Sequence, residues 1–267
     1  MSNARTAAVH LGANRIATSL TECISSQLQK ILSSASTKVF SRKEYVENLR
    51  AAVVTAGNRG LLQNEVEPIL REKKALDRFE HIVISEHALL GSMGDMLTKK
   101  KIFPKAKQRV QNVDLAFSDR KLSLHLAIAP QAECYISLLA DGKFSSDSVE
   151  GATPVHSWAN LVRRVRDACP RADVKIWDFE KPDEIMPSFL SSLLAIEADL
   201  LDHRMRDEIV KNSCQHLKNA KLLGKIIQID KDLQTRMDAQ YELDLAAIAA
   251  MPNVSLVQSS DLVLHTE

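Results

Sequence analysis

Apolar residues along the first two thirds of the chain fall into short runs that alternate with amphipathic stretches. One run begins at Ala8, and others cover His81–Ser85, Lys121–Ala129 and Asp173–Phe179. Short runs rich in aliphatic and β-branched residues are typical of buried strands. The alternation of strand, helix and strand predicts crossover units around a parallel sheet. The predicted fold class is therefore α/β, a parallel β-sheet flanked by helices.

The predicted helices carry apolar stripes and N-terminal capping residues. Ser41 and Glu44 have the spacing of a capping box, in a helix expected to end near Gly57, and Ser157 is placed to cap a helix that starts at Trp158. From about residue 182 the pattern is mostly helical, so a helical C-terminal part is expected. The remaining predicted segments are helices carrying Leu20 to Ile31, at Glu65 to Leu76, from after Pro130 to about Leu139, at Ile185 to Leu194, at Glu197 to Asn212 and at Lys231 to Ala250, and a short strand at Asn253 to Gln258.

Length and composition limit the class of protein. With 267 residues, of which 45% are hydrophobic, the chain can bury a large core, and a single domain over residues 1–267 is predicted. A formal net charge of +1 gives no overall field for nucleic acid or an anionic membrane. The sequence shows neither an apolar run of about 18 residues nor a signal core, so a soluble, cytoplasmic protein is expected. The four cysteines are far apart, which predicts neither a zinc site nor a disulfide framework.

The segment from Ala8 to Leu28 has the order expected of an anion-binding loop. An apolar strand leads through a glycine and a basic residue into a hydroxyl-rich helix start. A helix N-terminus offers unpaired N–H groups and the positive end of its dipole to a phosphate. The alternative is an ordinary strand-to-helix turn with a solvated arginine. The residues expected to line the loop are Gly12, Asn14, Arg15, Thr18 and Ser19.

The spacing of these residues resembles the 5′-phosphosulfate loop of the sulfotransferase family, H-x-G-x-x-K-T-G-T-[ST]. Four residues match that pattern: His10, Gly12, Thr18 and Ser19. Three stand where the family has lysine, threonine and a second glycine: Arg15, Ile16 and Ala17. The resemblance implies a P-loop-like three-layer fold and sulfuryl transfer from 3′-phosphoadenosine 5′-phosphosulfate (PAPS). The later blocks from Ser157 to Glu180 and from Tyr241 to Val257 look like bacterial members of the family. Arginine keeps the positive charge but replaces a compact ammonium with a planar fork, so binding is expected to survive better than catalysis.

Two further roles follow from the same resemblance. Glu86 falls where a general base would take the proton of the acceptor hydroxyl; the alternative is local pairing at a strand end. Ser137 stands near the family's serine for the 3′-phosphate, but Ile128 or Ala129 replaces the arginine of that clamp. Losing one charge-assisted hydrogen bond costs about 1.5–3 kcal/mol. We therefore expect PAPS to bind weakly or not at all.

Basic and histidine residues elsewhere suggest other partners only weakly. The stretch from Lys99 to Arg109 is positively charged, yet aromatic residues are nearly absent from it, so a solvated segment is favoured over a nucleic-acid interface. No histidine pair has the local spacing of a metal site, and no metal is expected.

Two classes of function remain. The first is a sulfotransferase-like enzyme in which Arg15 stabilises charge, Glu86 is the base and a small molecule or glycan is the acceptor. The second is a non-catalytic protein of the same fold that binds a small anion, a glycan or a protein. The absence of the arginine that holds the 3′-phosphate favours the second class. The residues that match the 5′-phosphosulfate loop keep the first class as an alternative.

Overall fold

The structure, a computed structural model, describes residues 5–12, 28–45, 50, 53, 76–86, 88–92, 94, 101–140, 155–197, 200–201 and 229–262. Its strands form a six-stranded sheet in the order β2-β3-β1-β4-β5-β6. Every neighbouring pair is parallel. This confirms the predicted parallel α/β architecture. The strands are β1 (Thr6–His10), β2 (Thr37–Val39), β3 (His81–Ser85), β4 (Lys121–Ile128), β5 (Asp173–Asp178) and β6 (Val254–Val257).

Helices cover both faces of the sheet, giving three layers. The long helices lie in the connections between successive strands, as parallel crossover connections require. The described helices are α1 (Gln29–Ser34), α2 (Arg42–Glu44), α3 (Ala106–Ala116), α4 (Gln131–Ala140), α5 (Trp158–Ala168), α6 (Pro182–Leu194), α7 (Lys231–Ala249) and α8 (Ser259–Leu262).

Alternate residues of the strands supply two separate apolar cores. In β1, Val9 packs into the larger core with helices α3, α4, α5 and α7, on what we call the α5 face. Ala8 packs into the smaller core with Leu32 of α1 and Phe189 of α6, on what we call the α6 face. Because successive strand residues point to opposite faces, the central strands β1, β3 and β4 are buried along almost their whole length.

The boundaries of the central elements agree closely with the pattern in the sequence. Ser41 and Glu44 form the predicted capping box, with Glu44 N donating to Ser41 Oγ (3.2 Å) and Ser41 N to Glu44 Oε2 (2.8 Å). Ser157 Oγ accepts from Asn160 N at the start of α5 (3.1 Å). The edge strand β2 was not predicted. The predicted helices at Leu20 to Ile31, Glu65 to Leu76 and Glu197 to Asn212 lie wholly or mostly outside the described residues.

Candidate functional site at the carboxyl edge of the sheet

The order in which the chain adds strands to the sheet reverses between β1 and β4, which makes this position a topological switch point. These strands are neighbours, but α1 after β1 packs on the α6 face while α4 after β4 packs on the α5 face. In open parallel sheets, neighbouring strands whose following helices lie on opposite faces have a crevice between their carboxyl ends, so we expect one between β1 and β4. In open parallel sheets this point is the usual place for a ligand.

Gly12 marks the exit of the chain from β1 into this crevice. The preceding Leu11 still pairs with β4, its N–H donating to His125 O (2.8 Å). Gly12 then takes a φ of 84°, a left-handed conformation in which glycine avoids the steric cost of a side chain. The predicted loop residues Asn14, Arg15, Thr18 and Ser19 lie outside the described residues.

His10, which matches the family pattern, turns away from the crevice and into the smaller core. Its Nδ1 lies 2.9 Å from Ser85 Oγ on β3, and its ring meets Phe189 edge-on at 5.1 Å between centroids. The side chain is fully buried. On the next strand, His125 is its register partner and is equally buried. The two histidines and Ser85 thus form a polar row beneath α6.

Glu86 follows β3 at the same edge of the sheet as Gly12. Its backbone N–H donates to His10 O (3.3 Å), and its carboxylate accepts from Ala88 N (3.0 Å). The residue is only 7% exposed. Arg109 of α3 holds the same turn by donating to Ala88 O (3.1 Å) and Leu89 O (2.9 Å). Glu86 therefore makes local hydrogen bonds at the end of its strand, as expected if its role is structural. Its position beside the end of β1 also suits a base in the crevice.

Tyr45 lies close to this carboxylate. Burial, and secondarily the charge of Glu86, raise the pKa of the Tyr45 hydroxyl well above its usual value. The hydroxyl is buried and has no hydrogen-bond partner among the described residues. Sequence reasoning did not single out Tyr45, because its contact with Glu86 comes from a distant part of the chain.

Ser137 is separated from the crevice by about two turns of helix. It lies six residues beyond Gln131, the first residue of α4, which corresponds to about 9 Å along the axis. Its side chain is buried. At the strand end itself, Ala129 O accepts from Trp158 Nε1 (3.0 Å). The position expected for the clamp arginine is thus used for packing against the start of α5.

Internal carboxylates occupy other strand and helix ends on this side. Asp178, the last residue of β5, accepts from Tyr241 Oη (2.5 Å), Gln258 Nε2 (3.1 Å) and Glu180 N (3.0 Å). The N-terminus of α5 is closed by Asp244, which accepts from Trp158 N (2.6 Å). Both carboxylates are buried. The sequence predicts the helices but not these partners, since periodicity does not show which distant acid reaches a helix end.

In the described part of the chain, no group of three or more histidine, cysteine, aspartate and glutamate side chains is arranged to hold a metal ion. None of the helices in that part has the length and apolar character needed to cross a bilayer.

Comparison with known proteins identifies no relative. No family model matches the chain, and neither the curated proteins nor the solved structures contain a match.

Proposed function

We propose that the protein binds a small molecule bearing a phosphate or sulfate group in the crevice between the carboxyl ends of β1 and β4. The observation that carries the proposal is that α1 and α4 pack on opposite faces of the sheet after these two neighbouring strands, with Gly12 in a left-handed conformation at the exit of β1. The sequence after Gly12 adds a permanent cation, Arg15, and the hydroxyls of Thr18 and Ser19. These groups suit an oxyanion.

The non-catalytic form of this function has the stronger support. His10 is bonded to Ser85 inside the smaller core, and the strand end at Ala129 packs against Trp158. The side chains of His10 and Ala129 therefore add no hydrogen-bond donor to the crevice. We therefore propose that simple anions bind here and that PAPS gains little from its 3′-phosphate.

Sulfuryl transfer is the second candidate, and the position of Glu86 favours it. Glu86 N bonds to His10 O, so the carboxylate and the exit of β1 are on neighbouring strands at one edge of the sheet. A carboxylate there would take the proton of an acceptor hydroxyl as the sulfuryl group moves.

Binding measured on variants of the loop tests both candidates. We expect sulfate or inorganic phosphate to raise the melting temperature of the wild type, and Arg15→Ala to weaken that binding about tenfold or more. Gly12→Val should also weaken it, because a β-branched side chain opposes the left-handed backbone. Arg236→Ala, on the exposed side of α7, is the matched loss of charge and should change nothing.

The product 3′-phosphoadenosine 5′-phosphate separates the candidates. If the protein only binds anions, the affinity of 3′-phosphoadenosine 5′-phosphate should exceed that of inorganic phosphate by at most about tenfold. Low-micromolar binding that Arg15→Ala abolishes would instead support the transferase. If none of these anions raises the melting temperature, the proposal is wrong for both candidates.

A further inference from the structure

A polar cleft lies on the α5 face of the sheet, where α5 starts beside α7. Its volume is about 490 Å³, within the usual range of small-molecule sites. Residues just before α3 form one wall, and α5 forms the other. The polar side chains that line it include Lys101, His156, Asn160, Arg163, Arg164 and Gln240.

Arg164 fixes the shape of this cleft. Its guanidinium donates to Ile102 O (2.6 Å) and Phe103 O (2.8 Å), which ties the segment before α3 to α5. Phe103 is fully buried, with a φ of 46°. The two walls are therefore held together by bonds to the backbone, and the cleft is preformed.

The remaining charges make the cleft electropositive. Arg163 donates to Asn160 Oδ1 (2.6 Å), and within the described residues no carboxylate lies at ion-pair distance from Arg163 or Lys101. Asp167, the acidic residue that lines the cleft, is already bonded by Arg166 through two hydrogen bonds (2.7 and 2.9 Å). Asp244 closes the end of α5, so the attraction comes from side-chain cations rather than from free helix N–H groups.

We propose that this cleft binds a small molecule carrying a phosphate group, held by Arg163 and Lys101 from opposite walls. Oxygens directed to several sides let one phosphate accept from a guanidinium, an ammonium and the amide of Asn160 together. A planar carboxylate has two oxygens and reaches fewer of these donors. The inference rests on different residues from the proposed function and does not depend on it.

Pyrophosphate, followed by ¹H–¹⁵N NMR at low ionic strength, is the probe. We expect it to shift the backbone amides of Asn160 and Arg163 in the wild type and equally in Arg15→Ala, which lacks the cation proposed for the β1–β4 crevice. Arg163→Ala should weaken this binding about tenfold, and Lys101→Ala should weaken it less. Both side chains are exposed, so the variants should fold normally. Arg236→Ala is the matched control and should bind as the wild type does.

Three results would overturn the assignment. The first is no shift at Asn160 and Arg163 in the wild type, and the second is unchanged binding in Arg163→Ala. In the third, citrate binds at these amides more tightly than pyrophosphate, which would replace phosphate by carboxylate recognition. Shifts that vanish in Arg15→Ala but persist in Arg163→Ala would count as the second result, since they place pyrophosphate in the β1–β4 crevice instead.

Discussion

His125 shows how single residues of the smaller core are held in one protonation state. Its Nδ1 accepts from Trp177 Nε1 (3.2 Å), so the proton is on Nε2, which donates to Ser123 Oγ (2.9 Å). The ring is stacked on Trp177 with an interplanar angle of 7°. Burial, assisted by the charge of Lys175, lowers the pKa of His125 well below 6.5. The imidazole is neutral in the folded protein.

The low pKa of His125 predicts loss of stability in acid. Unfolding releases the ring, which then binds a proton below about pH 6.5 while the folded protein does not. The unfolded state therefore holds more protons, and the free energy of unfolding falls as the pH drops from 6.5 towards the folded pKa. Urea unfolding at several pH values measures this slope.

His81 also makes the free energy of unfolding fall as the pH drops, so removing His125 alone should not abolish the pH dependence. Burial lowers its pKa, although its bond to Leu193 O (2.9 Å) opposes the shift. His125→Gln should thus make the slope shallower without removing it. An unchanged slope in that variant would show that His125 does not control the acid response.

Replacing either of two buried tyrosines by phenylalanine should change the free energy of unfolding, in opposite directions. The Tyr45 hydroxyl has no hydrogen-bond partner among the described residues, so Tyr45→Phe removes a desolvated polar group and should raise the free energy of unfolding by about 1 kcal/mol. Tyr241 Oη donates to Asp178, so Tyr241→Phe should lower it by about 1.5–3 kcal/mol. Urea unfolding of both variants measures the difference. Equal effects of the two substitutions would contradict the assignment.

At the scale of elements, α5 depends on a carboxylate from α7. Asp244 accepts from Trp158 N (2.6 Å), Ser157 Oγ (2.7 Å) and Gln240 Nε2 (3.0 Å). Negative charge at a helix N-terminus also interacts favourably with the helix dipole. The contact joins the two helices and fixes where α5 begins.

Asp244→Ala should therefore destabilise the protein strongly. We expect a loss of about 3 kcal/mol in the free energy of unfolding, because several buried donors lose their partner at once. Glu242→Ala, an exposed acid on the same helix, should change it by less than about 0.5 kcal/mol. Urea unfolding compares the two, and similar losses would mean that the capping contact is not the cause.

The elements that periodicity predicts well are those with a long apolar signal. The strands at Ala8, His81, Lys121 and Asp173 are short runs rich in aliphatic residues, and their existence and parallel pairing were predicted from these runs and the helical stretches between them. Strand β2 has only three residues, Thr37–Val39, which is too short for a period to show.

The candidate site was less predictable than the fold. The sequence predicted a glycine in the loop after β1 but not its conformation, which has a φ of 84°. The direction of the His10 side chain was not predicted either, because it depends on Ser85, 75 residues away. Tyr45 beside Glu86 and Asp244 on α5 are likewise contacts that only the tertiary structure creates. Local spacing carries no information about such partners.

For the whole molecule, stability is concentrated in the centre of the sheet. Strand β1 lies between β3 and β4, with one core on each face, so its amides are covered on all sides. Among the strands of the described residues, β6 pairs only with β5, and its side chains are partly exposed or exposed. The centre and this edge should therefore open with different free energies.

Native-state hydrogen exchange should resolve that difference. Amides in β1 and in the middle of β4, such as Val9 and Leu126, are expected to exchange only when the whole protein unfolds, so their opening free energy equals that measured in urea. The amides of β6 that bond to β5 should open at least about 2 kcal/mol more easily, since releasing them exposes little apolar surface. Equal protection of β6 and β4 would mean that the edge is covered by contacts beyond those of the described residues. Since the proposed ligand crevice lies between β1 and β4, bound phosphate should raise protection in these two strands by the same free energy as it raises global stability.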